Sequence, residues 1–285
     1  MSDTRTLEIW RGGPDGGDRV AYQIEAEPGM VVLDAVLEVQ RTQAQDLAVR
    51  WNCKAAKCGS CSAEINGRPR LMCKTRLDHL PAEAPITVEP IKAFPPIRDL
   101  VTDVSWNYKV NERIPPFTPA PDADWSIGQE DVDRMSEYRK CIECFLCQDV
   151  CHILREHRMH AQYFGPRFLV RLASLEMHPL DTLDRIDLIK DEAGIGLCNI
   201  TKCCTEVCPA EIHITDNAII PLKERVVDRH YDPVMKLVRK VSGRERRTAK
   251  QSQTDQQAAR GPVGPAWPEG SEKPVPEPDS GPPVG

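Results

Sequence analysis

Cys141-Ile142-Glu143-Cys144-Phe145-Leu146-Cys147-Gln148-Asp149-Val150-Cys151-His152 decides the fold of the second half of this chain. Its spacing, Cys-x2-Cys-x2-Cys-x3-Cys, is the run by which bacterial ferredoxins hold their clusters, with His152 where proline is usual. Two tight turns bring the first three thiolates onto one cluster, and the fourth cysteine serves the other cluster of a pair. A second run is therefore required. It stands at Cys198-x2-Thr201-x2-Cys204-x3-Cys208-Pro209, in the same frame but with threonine at the second position. The crossover assigns Cys141, Cys144, Cys147 and Cys208 to one 4Fe-4S cluster. Cys151, Cys198 and Cys204 remain, and three thiolates with a threonine suit a 3Fe-4S cluster. Cys203 reads as a small buried hydrophobe beside a ligand. The alternative is a fourth thiolate, which makes the second centre a four-iron cluster as well.

Upstream, Cys53-x4-Cys58-x2-Cys61 with Cys73 is the plant-type pattern for a 2Fe-2S cluster. Ala55, Ala56, Gly59 and Ser60 are small enough to let backbone amides approach the sulfurs. Zinc sites more often pair two short Cys-x2–4-Cys knuckles, so a zinc-stapled interaction module is the rival of another class. Around this loop the pattern is strand-rich. Leu7 and Ile9, then Val20, Tyr22 and Ile24, alternate with polar residues across a Gly/Asp turn at 12–17. Pro28-Gly29 opens an amphipathic helix carrying Val32, Leu33, Val36 and Leu37. Asn66-Gly67 marks a hairpin, and Ile86-Thr87-Val88 a closing strand. The fold class is α+β, with an N-terminal plant-type ferredoxin domain of β-grasp form over 1–104.

Residues 105–125 carry Pro115, Pro116, Pro119 and Pro121 and read as a connector. An all-α bacterial-type ferredoxin domain follows, the whole unit spanning 105–242. Val132, Met135 and Tyr138 lead into the cysteine run. Pro166 starts a helix with Phe168, Leu169, Leu172 and Leu175, and Pro221 one with Leu222 and Val226. Residues 243–285 lose apolar periodicity, and their Pro/Gly composition predicts a disordered tail. Arg244, Arg246, Arg247 and Lys250 precede it as a solvated charge run, contact with anionic lipid being the sharper reading.

Composition bounds the function. The 285 residues have net charge −6, only 5% aromatic residues and 25 prolines, which favours small metal-supported domains over one large core. Acidic charge without a basic face argues against nucleic acid. Neither a signal peptide nor an apolar run of about 20 residues is visible. A chain with twelve cysteines then reads as metal-binding in a reducing compartment, not as disulfide-stapled.

The cysteine order resembles the iron–sulfur subunit of succinate dehydrogenase and fumarate reductase over about residues 5–235. Pro96-Ile97-Arg98-Asp99-Leu100-Val101, Arg139-Lys140-Cys141-Ile142-Glu143-Cys144, Gly165-Pro166 and Cys208-Pro209 carry the likeness. Trp51-Asn52-Cys53-Lys54-Ala55-Ala56-Lys57-Cys58 is similar to actinobacterial members. The resemblance implies an electron relay between an FAD-bearing catalytic subunit, which binds the dicarboxylate, and a membrane anchor that meets quinone, with menaquinone expected. It implies a peripheral position at the cytoplasmic face of the cell membrane. No dinucleotide fingerprint is present, so flavin belongs to another chain. The iron–sulfur subunit of another flavin oxidoreductase, such as a thiol-dependent fumarate reductase, is the alternative. The family's quinone pocket has tryptophan and histidine where Glu156 and Asn199 stand here. His152, His157 and His160 are each read as exposed polar residues, proton or redox chemistry at the distal surface being the alternative.

Overall fold

The computed structural model describes residues 3–234, 237, 247–248 and 266–267. Leu7 and Ile9, on one face of β1 (Asp3–Gly13), are fully buried. β1 pairs antiparallel with β2 (Gly16–Ala26), matching Leu7 with Tyr22 and Ile9 with Val20. Helix α1 (Val32–Thr42) lays Val32, Leu33, Val36 and Val39 into the core. The hairpin β3 (Ser62–Ile65) and β4 (Arg68–Leu71) turns on Asn66 and Gly67, whose φ of 49° and 71° fit the expected tight turn. β5 (Ile86–Glu89) lies inside the sheet, parallel to β1 and antiparallel to β3, in the order β2-β1-β5-β3-β4. Burial on both faces explains its unbroken Ile-Thr-Val run.

A small hairpin, β6 (Pro96–Arg98) with β7 (Val101–Thr102), leaves this domain. Asp99 at its turn is buried and accepts from the amides of Gly12 (3.0 Å) and Ala48 (2.8 Å). The stretch expected as a connector is half helix. α2 (Ser105–Arg113) buries Trp106, Asn107 and Val110, and Trp106 packs against Phe94 of the first domain and Phe168 of the second. The prolines begin only after it, and the buried Arg185 side chain donates to the carbonyls of Pro115 (3.1 Å) and Pro116 (2.7 Å).

The second half is helical as expected. α3 (Gln129–Ser136) leads into the first run, followed by the short α4 (Leu146–Asp149) and α5 (His152–Arg155). α6 (Pro166–Glu176) begins at its proline and buries Phe168, Leu169, Leu172 and Leu175. Gly165, at φ 83°, lies so close to Gln148 that a Cβ there would come within 2.1 Å of Oε1. α7 (Ile186–Asp191) precedes the second run and the short α8 (Cys203–Glu206) lies within it. A π-helical turn over Ile214–Ile219 runs into α9 (Ile220–His230), which buries Leu222 and Val226.

The expected tail over 243–285, with its basic run, lies outside the described residues apart from 247–248, Ala266 and Trp267. Trp267 donates its indole N–H to the Ala93 carbonyl (3.3 Å) and lies under the Arg158 guanidinium at 3.8 Å.

Candidate metal centres

The loop before β3 brings Cys53 beside Cys58 and Cys61 beside Cys73. Amides of Ala55 and Lys57 donate to Cys53 Sγ and that of Ala56 to Cys73 Sγ, each at 3.3 Å. Lys54 and Ala56 reach these positions through left-handed backbone, both at φ 54°. Such amides stabilise thiolate charge. The Ser60 hydroxyl is the main cause holding the Cys58 thiol down at about 6, while burial pushes Cys61 up to about 12.

Cys141, Cys144, Cys147 and Cys208, the four expected from the crossover, line one cavity with Arg167, Ile212 and Ile214. Burial pushes Cys144 up to about 12 and also pushes Cys147 well up, each also feeling the charge of Cys141 and Cys208. Thiolates this close and this buried need cations among them, and iron supplies that charge. The donor set therefore fits an iron–sulfur core. Among the described residues no three His, Cys, Asp or Glu side chains converge as for a single ion.

The remaining ligand candidates also gather. Buried Cys151 and Cys204 lie with Cys198 around the fully buried Tyr163, whose hydroxyl approaches Cys198 without completing a hydrogen bond. Burial pushes Cys151 up to about 12 and Cys204 to about 11. The two runs repeat in backbone as well as in spacing. Glu143 and Phe145 have φ of 56° and 61°, and Ile200 and Lys202, in the matching places, 63° and 62°. Thr201 thus occupies the place of Cys144. Cys203, expected as buried packing, is instead half-buried, its sulfur 3.2 Å from the Thr201 hydroxyl.

Two further findings depart from the sequence reading. His160 is buried rather than exposed, edge-on to Phe94 (5.8 Å) and Trp106 (4.8 Å), and burial lowers its pKa to about 4. His152 and His157 are half-buried, 6.3 Å apart between ring centres. Tyr163 carried no local signal, since an isolated tyrosine in a helical stretch looks like core.

The first two centres meet directly. Gly59, at φ 70°, packs so closely that a Cβ would lie 2.7 Å from Cys144 Cα. The Ser62 hydroxyl lies between the carbonyls of Gly59 (2.9 Å) and Cys144 (2.8 Å), with one proton to give. Lys74 donates across the same seam to the Pro209 carbonyl at 2.9 Å. Buried Glu64 pairs with Arg155 and, at 3.0 Å, with Lys92.

Residues 6–109 match the family described as a 2Fe-2S iron–sulfur cluster binding domain, and residues 137–212 the 4Fe-4S dicluster domain. Fold and site together define a ferredoxin-type, two-domain iron–sulfur protein. An uncharacterized iron–sulfur protein of Methanococcus maripaludis is 30% identical over 220 residues, 74% of this chain but only 42% of its own length. The succinate dehydrogenase iron–sulfur subunit of Bacillus subtilis is 28% identical over 237 residues, 75% of this chain and 90% of that one. A chain of the Mycobacterium smegmatis Sdh1 complex in the apo form superposes with a TM-score of 0.80 at 57% identity, covering 82% of this chain and all of that one. This chain belongs to the family of iron–sulfur subunits of succinate dehydrogenase and fumarate reductase.

Proposed function

We propose that this chain relays electrons between a flavin-bearing catalytic subunit and a quinone-reactive membrane anchor, through three centres in series. Cys53, Cys58, Cys61 and Cys73 hold a 2Fe-2S cluster at the flavin end. Cys141, Cys144, Cys147 and Cys208 hold a 4Fe-4S cluster, and Cys151, Cys198 and Cys204 a 3Fe-4S cluster at the anchor end. The observation that carries this reading is the seam at Gly59 and Cys144, which sets the first two ligand loops backbone to backbone. A relay needs that closeness, whereas a stapled interaction module does not. The bound clusters supply the redox chemistry; the chain's residues hold them in line, shield them and tune them through amide-to-sulfur hydrogen bonds.

The anchor end has its own support. Leu197 and Ile200, on either side of Cys198, leave 36% and 37% of their surface exposed beside the distal cysteines. Among the described residues no helix is long and apolar enough to cross a membrane. The family resemblance supports a position at the cytoplasmic face, held by the anchor, with menaquinone as the quinone implied by the actinobacterial likeness. The family's usual quinone contacts do not carry over, because His152, Glu156 and Asn199 stand at the corresponding positions.

Low-temperature EPR of the anaerobically purified complex, before and after dithionite, tests the reading. Three separable signals are expected, one of them from an oxidised three-iron centre, together with co-purifying flavoprotein and membrane protein. A stable, redox-active monomer expressed without partners would count against the relay.

A further inference from the structure

The distal site contains one cysteine that the crossover leaves unused. Cys203 matches Leu146 of the first run, since both follow the residue with left-handed backbone. Leu146 is packed into the core at 1% exposure, whereas Cys203 is half-buried and has turned toward Thr201. Thr201 holds the position from which Cys144 faces the inner cavity. The Cys203 sulfur, 3.2 Å from that hydroxyl, therefore lies beside the place of the missing ligand atom. Cys203 is also close enough to buried Cys151 that its charge bears on that thiol, as does that of Cys198. The fully buried Tyr163 is near the other three thiols of the group, Cys151, Cys198 and Cys204.

We propose that Cys203 is a fourth thiol ligand of the distal centre, able to admit ferrous iron and convert a three-iron core into a four-iron one. A soft thiolate binds iron far better than the threonine hydroxyl beside it. The step balances without an external oxidant. The reduced three-iron core, of net charge zero, takes up one Fe2+ to give a four-iron core of charge 2+. The incoming iron exchanges its water ligands for three core sulfides and the Cys203 thiolate, whose proton passes to water. The electron that first reduces the three-iron core comes from the relay itself. This inference rests on the distal assignment made above.

The purified complex is reduced with dithionite, given Fe2+ anaerobically, desalted and gently reoxidised, with EPR and iron counts before and after. The native complex should lose most of its oxidised three-iron signal and gain one iron; Cys203→Ser should keep the signal and gain none. If native and variant respond alike, whether both convert or neither does, Cys203 is not the ligand. If the native complex lacks a three-iron signal from the start, the three-iron reading fails. Cys203 is then upheld where Cys203→Ser creates that signal and rejected where it does not. The two-iron signal of each sample reports folding. Should the variant fail to assemble, iodoacetamide mapping of the native complex decides. Cys203 should be alkylated before iron loading and protected after it; equal labelling in both states overturns the proposal.

Discussion

The run at 141–151 and the run at 198–208 share a backbone and differ in what encloses it. Around the inner run Leu146, Gln148 and Asp149 are buried, and Gly59 of the first domain closes over Cys144. Around the outer run Thr201 and Lys202 are exposed and Cys203 only half-covered. The left-handed residues are the same in both, so the ligand cage is a property of the frame. Enclosure is a property of the neighbours. One frame used twice makes an enclosed site and an open one, and the difference between them is the face left uncovered at Thr201 and Lys202.

The comparison breaks most completely at Cys147, which is buried among the other thiols of the inner cavity. Cys147→Ser should abolish the four-iron signal and most assembled complex, because cluster binding is folding free energy for these loops. The equivalent Cys204→Ser should spare the four-iron signal and remove only the distal one. EPR on both variants, prepared together, makes the contrast. An inner four-iron signal that survives Cys147→Ser would overturn the crossover assignment.

Gly59→Ala attacks the seam alone. Its Cβ would collide with Cys144 backbone, and its φ of 70° is left-handed. A destabilisation of about 3 kcal/mol is expected from overpacking and backbone strain combined. Both clusters should still form, while electron passage between them slows. Freeze-quench EPR after dicarboxylate addition would follow it.

Thr201→Cys sharpens the outer run toward the inner one. A fourth thiolate at the place of Cys144 should remove the oxidised three-iron signal and give a centre reducible only at lower potential, with slower quinone turnover. An unchanged signal would show that Thr201 does not face the cluster.

The smallest effect concerns His160. Its folded pKa, lowered by burial to about 4, lies below the unfolded value of about 6.5, so the unfolded chain takes up the proton first. The stability it contributes is present above about 6.5 and is lost as pH falls toward 4, on the order of 2 kcal/mol at pH 5. His160→Phe, which keeps an aromatic edge for Phe94 and Trp106, should flatten that limb of the urea midpoint against pH.

What the sequence makes legible is local. Cysteine spacing, the Asn66-Gly67 turn and the proline opening α6 all act within a few residues, and the structure repeats them; Pro221, expected to start a helix, instead lies one residue into α9, behind the π-helical turn that runs into it. The four thiols of the inner cavity were legible too, although Cys208 lies far along the chain, because the crossover rule carries long-range geometry in a short motif. The misses are contacts with no motif behind them. His160 owes its burial to Phe94 and Trp106, both more than 50 residues away. α2 was hidden by the prolines that follow it, though Trp106 and Val110 hold helical spacing. Asp99 stood in a stretch matched to the family, yet its grip on Gly12 and Ala48 follows only once the strands are paired.

The left-handed residues around the clusters have a consequence for the electron itself. Lys54, Ala56, Glu143, Phe145, Ile200 and Lys202 all carry side chains where glycine is the easy choice. A side chain raises the cost of that conformation, so each of these residues stays there only because the structure around it holds it. When charge arrives at a cluster, the amides around its sulfurs are already placed and have little room to turn. A loop already held in place has less rearranging to do when the charge of its cluster changes.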